Sequence, residues 1–416
     1  MSPVDQHSNQ PPPGAPGCSP RQAAVEIALC IVEEGFTAYL AGGCVRDELL
    51  GIQPTDFDVA TSAKPAEIAK IFRGARGVGE AFGVMLVRWK GRVLEVATFR
   101  ADGPYHDGRR PSDIRFATAE EDAKRRDFTI NGLFRDPKTN EVIDFVGGRQ
   151  DLNARVLRAI GDPAARLNED RLRTLRAVRF AARFALTVDP ETEQAICDAA
   201  ADLTPVSRER IGGEFRRMFS HPSRTRAVEF LERWGLDTPS LGEVNSMGPA
   251  PRTAGLPPDA KFATVLAAWR LDRDSRGVVG STHRWRDRLN LSGQEWSDLG
   301  DTLRAIDALR GSWDGLSKAQ RKRLVAGRAF AASLDVLRGE DAPRAGEISA
   351  AAQGLAQEPG GVAPVPFVNG ADLIALGFRP GPKFKSILDQ VYDAQLEGQL
   401  QSKEGALRLV QSEFHR

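Results

Sequence analysis

Cysteine is scarce in this chain of 416 residues. The four that occur, Cys18, Cys30, Cys44 and Cys197, show no CxxC spacing, so neither a disulfide framework nor a zinc site is expected, and a reducing compartment fits best. Net charge is nearly absent as well, because 57 Lys and Arg face 56 Asp and Glu and leave +1. That balance argues against a uniformly basic, non-specific nucleic-acid binder and leaves room for local basic surfaces. No apolar run approaches the length of a membrane span, and residues 1–20 carry no charged-then-apolar export pattern. The expectation is a soluble, cytoplasmic protein with no membrane contact. The length suffices for about two to four compact units with a full core.

What the chain has in their place is residues 40–61, LAGGCVRDELLGIQPTDFDVAT. A short apolar run at 37–40 precedes Gly42-Gly43, and an amphipathic segment at 44–50 follows, which reads as strand, tight turn and helix. Two glycines let backbone approach a ligand closely. The helix start aims N–H groups at the turn, and Arg46 adds a planar fork, so the half-motif suits a phosphate. Residues 55–59 read as a second strand, with Asp56 and Asp58 on one face and Phe57 and Val59 on the other. Paired carboxylates suit a hard cation, and Mg²⁺ is commonly held between one or two carboxylates and substrate phosphates. An exposed strand edge accounts for two such Asp residues equally simply.

Together, GGCVRDELLG and DFDVAT resemble the signature of the polymerase-beta-type nucleotidyltransferases, in the branch of the bacterial tRNA CCA-adding enzymes and poly(A) polymerases. Further motifs extend the resemblance. Residues 120–134, EEDAKRRDFTINGLF, are similar to that family's RRDFTIN motif, with Gly132 where Ala is usual and with a looser helix expected for it. Read as the start of a helix, the segment lets Arg126 reach a phosphate and puts Asp127 and Asn131 on one face, able to hydrogen-bond a ribose. A charged helix start capped by Asp127 is the plain alternative. In residues 100–111 the pattern Tyr105, Asp107, Arg109 and Pro111 resembles the family's flexible loop. The resemblance implies a part for it in switching from C to A addition.

Residues 169–184, EDRLRTLRAVRFAARF, form the second strong signal. Asp170, Arg173, Arg176 and Arg179 recur every three residues and make one stripe of a helix, beside an apolar stripe of Leu172, Leu175 and Val178. A carboxylate and a guanidinium three apart can meet one base, the first accepting from an exocyclic amino group and the second donating. Cytosine and adenine both carry that amino group, so CTP and ATP would be chosen without a template. A surface helix with Asp170 paired to Arg173 is the alternative. The segment is similar to the family's base-recognising EDxxR.

The remaining residues set the organisation. Residues 64–72 read as a helix, and 84–89 and 92–99 as a hairpin turned at Lys90-Gly91. Glu95, placed among Val93, Ala97 and Phe99, is either a third acidic member of the site or an edge-strand Glu facing water. Arg270, Arg273, Arg276, Arg284, Arg286 and Arg288, interleaved with Trp269 and Trp285, could track an RNA backbone, or form a solvated helix face. Residues 342–365, rich in Ala, Gly and Pro, read as a linker. The segment at 368–400 resembles the tail of the CCA-adding enzymes, and a basic turn at 377–385 is either a phosphate contact or a plain connection. The only His-Asp dipeptide, His106-Asp107, lies in the loop, so no added phosphohydrolase domain is indicated.

The expected fold class is α+β, a small mixed-sheet nucleotidyltransferase head followed by an all-helical neck, body and tail. The expected division is a disordered leader (1–20), the head (21–150), the neck with its base-reading helix (151–235), an RNA-binding body (236–340), and a linker and tail (341–416). The resemblance implies addition of C, C and A to the 3′ end of tRNA from CTP and ATP, with Mg²⁺ on Asp56 and Asp58 and with Gly42, Gly43, Arg46 and Arg126 at the triphosphate. Alternatives are a poly(A) polymerase or an A-only-adding enzyme of the same fold and, from another class, an inactive RNA-binding protein. Glu80-Ala81 before Phe82 leans against the poly(A) branch, which tends to carry a basic pair there.

Overall fold

The computed structural model describes residues 18–78, 83–103, 114–278 and 280–414. The loop motif Tyr105, Asp107, Arg109 and Pro111, the Glu80-Ala81 pair and the leader up to residue 17 lie outside them. The chain divides into two units, Met1–Val206 and Ser207–Arg416. The division falls inside the segment expected as neck. Among the described residues no helix is long and apolar enough to cross a membrane.

In the first unit Ser19 caps helix α1 (Pro20–Glu33), whose Ala23, Ala24, Ile27, Ala28 and Ile31 are buried. Strand β1 (Ala38–Ala41), helix α2 (Gly43–Leu49), β2 (Asp58–Thr61), α3 (Pro65–Ile71), β3 (Arg76–Gly77), β4 (Val84–Trp89) and β5 (Arg92–Thr98) follow. Lys90 and Gly91 both have positive φ, 45° and 79°, the backbone that a two-residue hairpin turn requires. Next come β6 (Arg100–Asp102) and β7 (Ile114–Phe116), which pair only with each other, then α4 (Ala119–Lys124), β8 (Leu133–Arg135) and β9 (Val142–Asp144). The main sheet has the order β3-β4-β5-β2-β1-β8-β9, antiparallel except where β2 runs parallel to β5. Helices α5 (Gly148–Asn153), α6 (Pro163–Glu169), α7 (Leu172–Arg183) and α8 (Pro190–Ala200) complete the unit, with short strands β10 (Val156–Leu157) and β11 (Thr187–Val188) between them.

Four expectations need correction here. The second strand starts at Asp58 and not at Thr55, because β1 ends at the Ala41–Asp58 pair and leaves nothing for residues 55–57 to bond. Asp56 therefore lies on the irregular approach to β2. The 120–134 segment is no single helix: α4 stops at Lys124, and one 3₁₀ turn (Thr129–Asn131) leads into β8. Backbone pairing overrides helical propensity there, since Thr129 N–H donates to Arg158 O and Ile160 N–H to Asp127 O. Gly132 loosens no helix; a Cβ on it would lie 2.6 Å from Val146 Cγ2. Finally, the neck is not wholly helical, because the pairs Val156–Thr187 and Leu157–Val188, β-branched at Val156, Thr187 and Val188, form a short parallel ladder.

The described residues of the second unit form helices only. Two expectations fail there for physical reasons. The run 342–365 is mostly the helix Ala342–Gln357, capped by Asp341 with proline in its first turn, and it buries Ala345, Ile348 and Ala352 beside Leu309 and Trp313. Alanine is the best helix former, and proline at the first turn loses no hydrogen bond. The Arg/Trp-rich run is not one basic face either. Trp269, Trp285 and Arg273 are fully buried. Arg273 pairs with Asp237 at 2.7 Å, Arg276 with Glu232 at 2.7 Å and Arg270 with Glu243 at 3.3 Å. Only Arg284, Arg286 and Arg288 stay exposed.

Removing one partner of a buried pair leaves the other charge uncompensated and costs about 3–5 kcal/mol. Arg273→Ala is therefore expected to lower unfolding stability in urea by about that amount, while Arg286→Ala changes it by less than about 0.5 kcal/mol.

Candidate active site

Gly42 ends β1 with φ 71° and ψ −121°, and its N–H donates to Leu133 O at 2.9 Å. A Cβ there would sit 2.7 Å from Arg126 Nη1, so backbone angle and space both demand glycine. Arg126 is held over the turn by three bonds: Nε and Nη2 to Asp122 Oδ2 at 3.2 and 3.0 Å, and Nη1 to Asn131 O at 3.0 Å. Its guanidinium also lies 4.9 Å from the Phe134 ring centre. Asp122 grips Arg125 as well, at 2.7 Å. Burial works against the Asp122 charge, yet the two guanidinium groups hold its carboxyl below the usual range.

Arg46 follows one helical turn after the glycines and is buried. Its Nε and Nη2 donate to Asp47 Oδ1 at 2.8 and 2.6 Å, and Nη1 donates to Asn131 Oδ1. The same group lies 4.4 Å from the Phe184 ring centre. The donors expected at a phosphate are thus engaged inside the unit, with Nη2 3.6 Å from where a Cβ of Gly43 would be. Asn131 passes the chain on, donating from Nδ2 to Asp127 Oδ1 at 2.9 Å. Asp127 Oδ1 also accepts from Phe128 N–H at 2.8 Å, and Oδ2 pairs with Arg176 Nη2 at 2.6 Å. Burial opposes the Asp127 charge, but Arg176 and these hydrogen bonds keep its carboxyl well below the ordinary value. Asp127 and Asn131 do share a face, across a 3₁₀ turn and not along an α-helix.

The acidic residues gather on the open face of the sheet. Val59 on β2 is level with Val96 on β5, so Asp58 and Glu95, each one residue earlier, stand side by side. Asp56, Asp58 and Glu95 line one cleft of about 810 Å³ with Thr55, Leu86 and Val93. The cleft walls strip water from Asp58, and the Glu95 and Asp56 charges add to this, pushing its carboxyl up to about 6 against the pull of Arg126. Of the two readings of Glu95, the structure shows the water-facing one, and the exposed side chain lines the cleft. The buried side chains of β5 are Leu94, Val96 and Thr98, and Glu95 is exposed, so it needs no buried partner.

Asp170 stands between α6 and α7 in extended backbone, and its Oδ1 accepts from Leu172 N–H at 3.1 Å. It therefore caps the helix and is not part of the helical stripe. Arg173 does not pair with it. Its Nη1 donates to Arg166 O at 2.6 Å and to Glu169, and its Nη2 to Arg125 O at 3.3 Å. Arg176 faces Asp127, while the Arg179 guanidinium lies 4.1 Å from the Phe180 ring centre. Sequence reasoning missed Asp47, Asp122, Glu169 and Phe184. Two of them carried a signal in their spacing: Asp122 precedes Arg125 and Arg126 by three and four residues, and Glu169 precedes Arg173 by four.

Known proteins resemble this chain over nearly its whole length. A family model described as the poly(A) polymerase head domain matches residues 38–158, and one described as the probable RNA and SrmB-binding site of polymerase A matches residues 185–245. A CCA-adding enzyme of Bacillus licheniformis is 32% identical over 395 residues, covering 92% of this chain and 96% of that one. One from Geobacillus stearothermophilus is 41% identical over 219 residues, 52% of this chain and 54% of its own length. The crystal structure of a Bacillus stearothermophilus CCA-adding enzyme in complex with CTP superposes with a TM-score of 0.78 at 28% identity, over 95% of this chain and 98% of that chain. With near-full-length identity to such a relative and the same α+β architecture, this chain belongs to the bacterial CCA-adding enzyme family of nucleotidyltransferases, built on the poly(A) polymerase head domain.

Proposed function

We propose that this chain adds C, C and A, without a template, to the 3′ end of tRNA from CTP and ATP, with release of pyrophosphate. One observation carries the reading. A continuous run of buried polar contacts, Arg46 to Asn131 to Asp127 to Arg176, ties the glycine turn to the helix assigned to base selection. Phosphate and base are then gripped by one rigid body. In this assignment Gly43 N–H and Arg126 hold the triphosphate, Arg46 and Asn131 brace that cradle, and Asp127 fixes Arg176 beside it.

Asp170 accepts from the amino group of cytosine or adenine, and Arg173 donates to the base. Three of the five N–H donors of Arg173 are committed to Arg166 O, Glu169 and Arg125 O, which leaves Nε–H and one Nη2–H in fixed directions. Fixed donors can discriminate without a template base, because a wrong base leaves them unpaired.

The acidic cleft fits a divalent cation. Asp56 and Asp58 are hard oxygen donors, a positive charge would offset the desolvation and the neighbouring carboxylates that raise the Asp58 pKa, and two carboxylates leave room for water and substrate phosphate. Asp56 and Asp58 are the assigned holders, with Glu95 beside them in the same cleft. Bound there, Mg²⁺ would activate the RNA 3′-hydroxyl and neutralise charge on the α-phosphate and the departing pyrophosphate.

Two measurements check this. The Asp58 pKa rises from 3.8 to about 6 on folding, so its cost to stability is absent below about pH 4, grows between, and is full above about pH 6. In EDTA, Asp58→Asn should gain about 1 kcal/mol at neutral pH, a figure discounted for solvent on the open side, and gain nothing near pH 4. Mg²⁺ should raise the melting point of the native chain and leave that of the variant unmoved; equal stabilisation of both refutes the site. For activity, labelled CTP and ATP are offered to tRNA transcripts ending before the first C, after it and after the second. Completion of CCA on all three is expected, with loss of at least about 10³-fold in Asp58→Ala. ATP addition only to the CC-ended transcript would make the chain an A-adding enzyme, and long A tails a poly(A) polymerase.

A further inference from the structure

Beyond Asp58 and Glu95 the main sheet keeps a face that no described element covers. Side chains paired across antiparallel strands share a face, and the register places Glu95 beside Leu86, Leu86 beside Arg76, and Val93 beside Arg88. The other face, with Met85, Val87, Leu94 and Val96, is buried, and α1 and α3 pack on these strands. The uncovered face is polarised. Carboxylates stand at β2 and β5, Val93 is 54% exposed in the middle, and Arg88 and Arg76 are exposed on β4 and the edge strand β3. Among the described residues neither arginine makes an ion pair, unlike Arg125, Arg126, Arg173 and Arg176. From β2 to β3 is three strand spacings, about 14 Å.

From this juxtaposition we infer that the open face of β5, β4 and β3 is the track for the single-stranded 3′ end of the acceptor RNA, with Arg88 and Arg76 as its backbone-phosphate contacts. The inference rests on the function proposed above and extends it to the second substrate. Two unpaired guanidinium groups attract phosphates, whereas Glu95 repels them and leaves the uncharged 3′-hydroxyl as the part of the strand suited to the acidic end. Leu86 and Val93 give the sugars and bases an apolar floor between the two. The polarity of the face therefore sets the direction of the strand. Arg76 and Arg88 position the RNA and touch no reacting atom.

The test compares the native chain with Arg76→Ala/Arg88→Ala and Arg76→Lys/Arg88→Lys, using a tRNA transcript that lacks CCA. Its Kd by fluorescence anisotropy over a salt series is read beside KM for tRNA and for CTP. Each phosphate contact on a single strand contributes about 0.7 to the slope of log Kd against log salt, so the alanine pair should lower that slope by about 1.4. KM for tRNA should rise about tenfold, well beyond any change in KM for CTP, and the lysine pair should keep the native slope. An unchanged slope, or KM values that rise together, overturns the inference and leaves the face to a protein partner or to solvent. If the alanine pair shows the expected slope change but the native chain adds no nucleotide, the function proposed above fails and the RNA track stands.

Discussion

An ionised carboxylate buried inside the first unit, that of Asp127, is the constraint on which the site depends. A buried charge is tolerated only when it is paired and its lone pairs are filled. Asp127 meets that demand with Arg176, Asn131 and Phe128 N–H, and each partner is thereby fixed in place. Asn131 then holds Arg46 by its side-chain oxygen and Arg126 by its backbone oxygen. Arg126 in turn occupies the space beside Gly42 that a side chain would fill. The placement of Arg46, Arg126 and Arg176 is thus a by-product of satisfying one buried anion.

The acidic cleft follows the opposite logic. Loss of water around Asp58, with the neighbouring Glu95 and Asp56 charges added to it, outweighs the pull of Arg126 and raises the Asp58 pKa. Where Asp127 is made content, Asp58 is kept needy, and that contrast separates scaffold from ligand-seeking group. The same contrast separates the arginines. Arg273, Arg276 and Arg270 are spent on Glu232, Asp237 and Glu243 in the core of the second unit. Arg76 and Arg88, exposed beside the acidic cleft, have no such partner among the described residues.

Much of the first unit was legible because its signals are local. The hairpin at Lys90-Gly91 follows from a turn that needs two positive φ angles, and the turn at Gly42-Gly43 from a backbone only glycine adopts easily. The helix over 172–183 follows from period. The spacing of Asp56 and Asp58 put both in one cleft even though only Asp58 is in the strand. Family resemblance in the motifs named the chemistry, and the comparisons agree with it.

The linker reading of 342–365 failed locally, since alanine content, the Asp341 cap and a first-turn proline already favour the helix found there; the other failures were non-local. Residues 125–131 read as the start of a helix, yet backbone partners at Arg158 and Ile160 hold the segment in another conformation. Two readings of Glu95 stood open, site member or water-facing edge, and the pairing of β5 with β2 and β4 decided which side meets water. Arg270, Arg273 and Arg276 looked like an RNA surface because a sequence shows the charge of a residue and not the distant carboxylate that cancels it. The sequence alone therefore determined the turns, the helix periods and the chemical inventory of the site, all set by neighbours within about one helical turn. Which carboxylates are paired and which are exposed, and which arginines are core or surface, was decided only by tertiary structure, since burial and charge compensation come from residues far away in the chain.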